Sequence, residues 1–379
     1  MNKRYAFLDV YRGIVVLLMI EGHAMREFLQ PSLQLSPVFR FHELLHGITG
    51  PGFLFGAGIT FGISAERRWA DFLRPTRVLG RRLRKIVLLL LLGYGLHLPF
   101  FSLSKTLAEA SPRDWQAFLS FDVLQCIGYS LLILQILLLV LRERRLFLGT
   151  VIVLGSALVL VAPVVWRMDL SDMSLALSAG LQGAHGSVYP LVPYGAFLFA
   201  GAAVSYEFTR HAEEGTDHVF IRRLTLAGFS CIAGGFVFEE IPLHLYAETD
   251  FWHDSPNFFL MKLGGLFLLM SGAWLLERRF RAGTVAPLAL LGVESLFVYI
   301  VHLVALYGSP VNAGTHLSFF WEGKLGWMSA TVLSAVFVLV LYALARFWRV
   351  LKEEHPVLLQ TTQWWLGFVL VYEFLTRLY

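Results

Sequence analysis

Long apolar stretches recur along the whole chain, and short polar segments separate them. A helix needs about 20 apolar residues to cross a bilayer, and about eleven stretches approach that length. They run roughly over residues 9–29, 44–64, 85–102, 121–141, 146–165, 189–208, 224–242, 257–276, 284–306, 325–346 and 362–378. The connections reach only about 20 residues, which is too short for a soluble domain. The pattern predicts an all-α polytopic membrane protein in which residues 1–379 form a single transmembrane domain.

The composition supports this prediction. Of the 379 residues, 56% are hydrophobic and only 15% are charged, whereas about 25% charged residues are usual in a soluble domain. The formal net charge of +4 reflects where basic residues lie relative to the membrane, so we expect no nucleic-acid partner. Cys126 and Cys231 lie in apolar spans and in opposite membrane halves, so we expect neither a disulfide nor redox chemistry.

Basic residues concentrate in every second connection. Lys3 and Arg4 precede the first span, and residues 67–85 carry seven arginines and one lysine. Such residues stay on the cytosolic side of the membrane. Alternation of eleven spans therefore predicts a cytoplasmic N-terminus. We expect a multi-pass protein of a bacterial inner membrane. The cluster at 67–85 could also bind an anionic cofactor such as coenzyme A by charge attraction, although membrane orientation explains it without a ligand.

The first span carries ionisable residues that lipid does not tolerate. On a helix of about 100° per residue, Arg12 and His23 lie roughly 20° apart, Asp9 lies within about 60° of Arg12, and Glu21 points the opposite way. Such residues usually face a bundle interior or a water-filled cavity. One interpretation makes Asp9 and Arg12 a salt bridge at the cytosolic end and His23 a packing residue. The other places His23 in a reaction chamber.

Further polar residues lie toward the outer halves of other spans. They are His46 in the second span, His97 in the third, Asp122 and Gln125 in the fourth, and Glu294 and His302 in the ninth. Together they predict a polar chamber that opens outward. A histidine there suits proton transfer, and a neighbouring carboxylate would orient its ring. The same set of residues suits acyl transfer and a proton-coupled transporter.

Two local patterns in and before the second span have simpler interpretations. His42-Glu43-Leu44-Leu45-His46 matches HExxH, which places two histidines on one helix face in zinc proteases. The sequence identifies no third ligand, so we interpret the segment as the entry to the span and expect no metal. The pairs Gly52/Gly56 and Gly58/Gly62 predict close helix packing.

Three segments resemble the heparan-alpha-glucosaminide N-acetyltransferase family. Residues 7–19, F-L-D-V-Y-R-G-I-V-V-L-L-M, resemble its D-x-x-R-G-x-x-x-x-x-M pattern, and residues 51–59, P-G-F-L-F-G-A-G-I, resemble its second span. Residues 122–128, D-V-L-Q-C-I-G, resemble its V-L-Q-R-x-G element, with Cys126 where arginine is frequent. The three cover about the first 130 residues. The first motif is shared more loosely with the acyltransferase-3 family.

The resemblance implies transfer of an acetyl group from acetyl-CoA to an amine or hydroxyl of a sugar or glycan, with an essential histidine. In the animal enzymes that histidine follows the first span, beside an asparagine; here residues 21–28 read E-G-H-A-M-R-E-F, without asparagine. We assign His23 as the general base or transient acyl acceptor. The other expected site residues are Arg12, Asp9 and Gln125 for the cofactor, and His46, Asp122, His302 and Glu294 for the substrate. The expected partners are the lipid bilayer, acyl-CoA and the acceptor; a homodimer is left open.

Two other functional classes remain. A proton-coupled transporter or flippase of a small anionic or lipid-linked solute would use the same ionisable groups, although the two repeated halves with broken helices that mark many transporters are not evident in the sequence. A structural membrane protein would use its polar residues only for packing. An acyltransferase consumes acyl-CoA, whereas a transporter moves unmodified substrate.

Overall fold

The computed structural model describes residues 5–241, 246, 249–309, 312 and 314–377, so Lys3 and Arg4 lie outside the described residues. Within that part of the chain the regular structure is helical, apart from a bridge between Leu29 and Leu325. The predicted all-α class is therefore confirmed. The helices are α1 (Ala6–Phe28), α2 (Pro31–Gln34), α3 (Pro37–His46), α4 (Thr49–Arg67), α5 (Trp69–Phe72), α6 (Arg77–Leu96), α7 (Leu103–Glu109), α8 (Pro112–Leu119), α9 (Val123–Leu141), α10 (Arg144–Val165), α11 (Leu175–Leu181), α12 (Leu191–Glu213), α13 (Asp217–Glu240), α14 (Pro256–Arg279), α15 (Ala282–Val293), α16 (Ser295–Tyr307), α17 (Leu317–Trp321), α18 (Trp327–Glu354) and α19 (Pro356–Thr376).

Each predicted span overlaps a helix or a pair of helices, although residues 242 and 378, which end the seventh and the last span, lie outside the described residues. Over the described residues, seven helical segments are long and apolar enough to cross a membrane, or eight if one bent pair counts as a span. Helices α1, α6 and α19 cover predicted spans but are not among these segments. The chain is thus a multi-pass membrane protein, while the count of eleven and the orientation stay predictions.

The ninth predicted span is not one straight helix. Helices α15 and α16 meet at Glu294 with a bend of 69°. The side chain of Glu294 is buried, and one of its carboxylate oxygens lies 2.7 Å from Lys352 Nζ on α18. An interrupted helix at membrane depth is tolerated where protein surrounds it. The span predicted over 284–306 is therefore covered by two helices with a break at Glu294, where the buried glutamate forms an ion pair.

The described chain divides into two compact units. The first comprises Met1–Thr49, Leu98–Trp115 and Ala273–Tyr379, and the second comprises Gly50–His97 and Gln116–Gly272. The residues predicted to line the outward chamber are divided between the two units, and His23, His46, Glu294 and His302 belong to the first. The two units are described separately below.

Helix α1 is the centre of the first unit and contacts α3, α15, α16, α17 and α18. Its closest neighbour is α15, where glycines allow the two backbones to approach. A Cβ atom added at Gly13 would meet the Leu288 carbonyl, and one added at Gly292 would meet the Asp9 carbonyl. Small residues at a helix crossing permit this approach in membranes. The backbone of Gly292 therefore fixes α15 against the first turns of α1.

The C-terminal end of α1 is fixed by backbone hydrogen bonds to the segment before α18. The Leu325 N–H donates to the Phe28 carbonyl at 2.9 Å, and the Gln30 N–H donates to the Leu325 carbonyl at 2.9 Å. The Gly323 N–H also donates to the Glu27 carbonyl at 2.8 Å. These bonds satisfy carbonyls that a helix end leaves without intrahelical partners. The half of α1 that carries Glu21 and His23 therefore has a well-defined end.

In the second unit, α12 contacts α9, α10 and α13, and glycines bring α4 against it. A Cβ atom at Gly58 would meet the Leu198 carbonyl, and one at Gly62 would meet the Ser205 side chain. The close packing predicted for this glycine pair is confirmed. Residues of α10, α12 and α14 also line an apolar cavity of about 530 Å³, and the predicted site residues are not among those that line it.

Candidate active site

Helix α1 presents two ionisable side chains to different neighbours in the first unit. Glu21 and His23 are two residues apart, so they point about 200° apart on an α-helix. His23 contacts His302 on α16, whereas Glu21 contacts His42 on α3. The opposite orientation of Glu21 that helical periodicity predicts is confirmed.

His23 and His302 form a direct contact. His23 Nδ1 and His302 Nε2 lie 3.1 Å apart, and the rings stack with centroids 5.3 Å apart. His302 is fully buried, and its Nδ1 lies 3.2 Å from the Val298 carbonyl oxygen. Because a carbonyl oxygen can only accept, the His302 Nδ1–H donates to it, and the neutral ring keeps its lone pair on Nε2.

The position of the proton on His302 determines which ring donates in the hydrogen bond between His23 and His302. The lone pair on His302 Nε2 accepts the His23 Nδ1–H, so neutral His23 carries its own lone pair on Nε2. A histidine whose Nδ1–H is held by an acceptor is oriented to take a proton on Nε2. Tyr307 lies edge-on to the His23 ring, with centroids 6.0 Å apart, and helps to fix its plane.

Asp9 and Arg12 form an ion pair near the N-terminal end of α1. Asp9 is buried, while about a third of the Arg12 side chain is exposed. The Arg12 Nε–H also donates to the Leu8 carbonyl at 3.4 Å. The salt bridge that the sequence suggested is thus present. It braces the first turns of α1 where Gly292 approaches the Asp9 backbone.

A second cluster, here called the Glu21 cluster, consists of Glu21, His42 and His46. His46 Nε2 lies 2.7 Å from a Glu21 carboxylate oxygen, and His42 Nε2 lies 3.1 Å from both oxygens. The two histidine rings have centroids 4.0 Å apart, and the His46 Nδ1 lies 2.8 Å from the Leu18 carbonyl. The carboxylate that the sequence analysis expected beside a chamber histidine is therefore found beside His42 and His46.

The glutamate of the HExxH segment has a different partner. A Glu43 carboxylate oxygen lies 2.8 Å from Arg26 Nη1, and both side chains are largely exposed. His42 and His46 do share a helix face, as the spacing predicts, but the carboxylate between them is Glu21 of α1. Glu43 is therefore not placed as the base that a zinc protease would require.

Asp122 and Gln125 lie in the second unit, where they begin α9. The Asp122 carboxylate accepts the Val123 N–H at 2.7 Å, and the Gln125 Oε1 accepts the Asp122 N–H at 3.3 Å as part of a capping box. Gln125 is fully buried, and its Nε2 lies 3.1 Å from His97 Nδ1. The spacing D-x-x-Q is a helix-start signal that the sequence analysis did not use. Capping explains this pair locally, and its roles toward substrate and cofactor stay proposals.

The structure therefore groups the expected residues in five places. It joins His23 to His302, Asp9 to Arg12, Asp122 to Gln125, and Glu294 to Lys352. His46 belongs to the Glu21 cluster. The sequence did not predict that Glu21 would contact His42 and His46. It indicated only the HExxH spacing and the orientation of Glu21 on the face of α1 opposite to His23.

Comparison with known proteins agrees with the resemblance of the three motifs. The family model described as heparan-alpha-glucosaminide N-acetyltransferase, catalytic, matches residues 4–234. This range includes His23, the Glu21 cluster and Gln125, whereas Glu294 and His302 lie beyond it. No curated protein matches the chain. The looser relation to acyltransferase-3 proteins stays a prediction. With more than half of its length matched, the chain belongs to the heparan-alpha-glucosaminide N-acetyltransferase catalytic family.

Proposed function

We propose that this membrane acetyltransferase moves an acetyl group from acetyl-CoA to an amine or hydroxyl of a sugar or glycan at the outer side of a bacterial inner membrane. Membership of the family supports acetyl transfer to a glycan-like acceptor. The observation that carries the catalytic assignment is the contact between His23 and the buried His302. It gives His23 a defined tautomer in a helix that lipid cannot surround.

In the proposed reaction, the acceptor amine or hydroxyl attacks the thioester carbonyl carbon of acetyl-CoA. His23 Nε2 takes the proton that the acceptor loses as the new bond forms. The carbon–sulfur bond then breaks, and the CoA sulfur leaves as a thiolate that takes up a proton. His302 continues to accept the His23 Nδ1–H while His23 is charged, so the ring keeps its orientation. No redox step is required.

The remaining assignments concern binding. Arg12 with Asp9, and Gln125, are proposed to contact acetyl-CoA, since a guanidinium can bind phosphate oxygens and a buried amide can bind the pantetheine chain. His46, Asp122 and Glu294 are proposed to bind the acceptor, whereas His302, whose two ring nitrogens contact Val298 and His23, is proposed to serve the acceptor only through His23. The ion pair of Glu294 with Lys352 supports a structural part of its role, because the pair connects the α15–α16 break to α18.

His42 is the alternative general base, and one observation favours it. Its Nε2 faces the Glu21 carboxylate, while its Nδ1 is buried and has no hydrogen-bond partner among the described residues. A carboxylate that holds one ring nitrogen and leaves the other as acceptor is the arrangement of a catalytic dyad. His42 also follows the first span, as the essential histidine of the animal enzymes does. The two candidates lie on different faces of α1, so single variants separate them.

The test measures release of CoA thiol from acetyl-CoA by the purified full-length protein, with and without a panel of amino sugars and glycans. We expect acceptor-dependent release that falls about 10²–10⁴-fold in His23→Ala, because a positioned base contributes that much. The matched control is His253→Ala, since His253 is an exposed histidine paired with Asp250 in a connecting segment.

The possible outcomes separate the competing assignments. Full activity in folded His23→Ala, together with loss in His42→Ala, would move the base to His42. If folded wild-type protein releases no thiol with any acceptor in the panel but carries a glycan or lipid-linked solute unchanged into liposomes, the chain is a transporter and the proposal fails.

A further inference from the structure

The Glu21 cluster combines three side chains that commonly bind transition metals. The ligand atoms, which are the ring nitrogens of His42 and His46 and a carboxylate oxygen of Glu21, all lie within 4.8 Å of one another. Two of the ligands come from α3 at four-residue spacing, and the third comes from α1. All three side chains are partly buried, and Glu21 is the most exposed at 36%.

The hydrogen bonds of His46 indicate that something positive belongs between its ring and Glu21. Its Nδ1–H donates to the Leu18 carbonyl at 2.8 Å, because that oxygen can only accept. A neutral His46 therefore directs the Nε2 lone pair at a carboxylate oxygen 2.7 Å away, which is repulsive. Either a second proton on the ring or a metal ion removes this repulsion. The bond from the outer nitrogen to a backbone carbonyl is the usual second-shell contact of a metal-bound histidine.

We propose that Glu21, His42 and His46 bind a divalent transition-metal ion, with zinc as the best match. Two imidazoles and one carboxylate form a three-residue zinc site that leaves a fourth position for water or a substrate oxygen. The same ligand set also suits iron(II). This site is independent of the catalytic role proposed for His23.

The cluster must adjust to hold the ion, because its ligand atoms are within 4.8 Å of one another rather than at the separations of a zinc site. Zinc bonds of about 2.0–2.1 Å in a tetrahedral site place the ligand atoms roughly 3.3 Å apart. The Glu21 oxygens are 2.7 and 3.1 Å from the histidine nitrogens. The carboxylate must therefore withdraw by a few tenths of an ångström, and a glutamate side chain that is about one third exposed has the freedom to do so.

The proposed site differs from that of an HExxH peptidase. In the peptidase motif the glutamate beside the first histidine acts as the base, but Glu43 forms an ion pair with Arg26. The third ligand here is Glu21, which precedes the motif by 21 residues. We therefore expect metal binding without peptidase activity.

The experiment measures metal binding directly, so its result does not depend on acetyl transfer. Full-length protein in detergent is stripped with a chelator and titrated with Co²⁺, and visible absorption is recorded before Zn²⁺ is added. Wild-type protein should bind about one Co²⁺ per chain with the intense d–d bands of a low-coordinate site, and Zn²⁺ should displace them. Elemental analysis of unstripped protein should find about one zinc ion per chain.

Three variants test the assignment of ligands. Glu21→Gln and His42→Gln should each weaken Co²⁺ binding by more than the 10–100-fold that loss of a second-shell contact causes. His46→Cys should keep the site and add a thiolate-to-cobalt absorption band in the near ultraviolet, which also shows that the fold survives. His253→Gln is the control. His253 also has a carboxylate neighbour, Asp250, but it does not belong to the Glu21 cluster.

The proposal is overturned if wild-type protein binds Co²⁺ no better than Glu21→Gln and is purified without metal. Protons would then hold the cluster together, and His42 with Glu21 would remain available as a base. Wild-type binding that Glu21→Gln and His42→Gln both retain unchanged, with no thiolate-to-cobalt band in His46→Cys, would also overturn it, because the ion would then lie elsewhere. Failure of the acetyl-transfer assay has no effect on these readouts.

Discussion

At the residue scale, the direction of individual hydrogen bonds distinguishes two histidine sites on one helix. The carbonyl of Val298 assigns the proton on His302, and through it the lone pair on His23. The carbonyl of Leu18 assigns the proton on His46 in the same way and directs its other nitrogen at Glu21. The two histidines therefore differ in their chemistry: the Nε2 of His23 is proposed to accept a proton, whereas the Nε2 of His46 requires either a second proton or the proposed metal ion beside Glu21.

The ion pair of Glu294 and Lys352 gives a stability prediction at this scale. The side chain of Glu294 is 3% exposed and that of Lys352 is 43% exposed. Removing the partner should therefore destabilise the fold more when it leaves Glu294 unpaired than when it leaves Lys352 unpaired. Lys352→Met leaves a buried carboxylate unpaired and should cost about 3–5 kcal/mol. Glu294→Gln leaves a lysine that can reach water and should cost distinctly less.

Thermal unfolding of the two variants in detergent measures this difference. The double variant Glu294→Gln with Lys352→Met serves as the control, because it leaves no unpaired charge, and it should unfold at a higher temperature than Lys352→Met alone. Equal destabilisation by the two single variants would contradict the proposed asymmetry.

A residue-scale prediction also follows for His302. His302→Leu removes the acceptor that orients the His23 ring while leaving the proposed base in place. We expect the turnover rate to fall by roughly tenfold or more, with less effect on KM, in the acetyl-CoA assay. A variant that folds and turns over at the wild-type rate would show that His302 does not position His23.

The sequence predicted part of this detail. Helical spacing placed His23 and Glu21 on opposite faces of the first span, and the structure confirms it. It could not predict that His42 would be the neighbour of Glu21, because the angle between α1 and α3 depends on the connection between them. The capping of α9 by Asp122 was in principle readable from D-x-x-Q.

At the element scale, α1 organises the first unit because it combines polar side chains with small residues. Gly13 lets α15 approach its backbone, while His23 and Glu21 reach α16 and α3 from other positions on its surface. A helix with charges on more than one side needs protein contacts around much of its circumference. The same arrangement makes α1 the element that connects the proposed base to the Glu21 cluster.

Two glycines on α15 provide a matched test of that packing. Gly292→Ala places a Cβ atom against the Asp9 carbonyl, whereas Gly283→Ala meets no atom of the described residues within 4 Å. Overpacking against backbone typically costs about 1–3 kcal/mol. Gly292→Ala should therefore lower the unfolding temperature, and Gly283→Ala should leave it unchanged or raise it slightly through better helix propensity. The reverse order would contradict the close α1–α15 contact.

The elements themselves were largely predictable, and the exception has a physical cause. Apolar runs of sufficient length located the helices because each span must satisfy its own backbone within the membrane. The break between α15 and α16 was not predicted, because the apolar run over residues 284–306 has the length of a single span and Gly292, Glu294 and Ser295 interrupt it only briefly. The partner that stabilises the break, Lys352, lies 58 residues later in the chain.

At the scale of the whole molecule, the distribution of basic residues predicts a topology. If eleven spans alternate, the connection after α12 is cytosolic, and the connection after α10 is on the outer side. The helices alone do not determine the number of membrane spans, since the bent α15–α16 pair can be counted in more than one way. They also do not determine which side of the membrane the N-terminus occupies. Both therefore need a direct measurement.

Reporter fusions provide that measurement. Alkaline phosphatase fused after Asp172 should be active, and a fluorescent protein fused after Gly215 should be fluorescent, because each reporter works on one side of the membrane only. Exchange of the two reporters is the control and should silence both. Activity of both exchanged fusions would reverse the predicted orientation.

The central claim is that this chain transfers acetyl groups and that His23 is its base. The most direct measurement follows labelled acetyl from acetyl-CoA onto an amino sugar with purified wild-type protein, His23→Ala and His42→Ala under identical conditions. The account predicts labelled product from wild-type protein and from His42→Ala, and a rate about 10²–10⁴-fold lower from His23→Ala. Undiminished labelling by folded His23→Ala would contradict it.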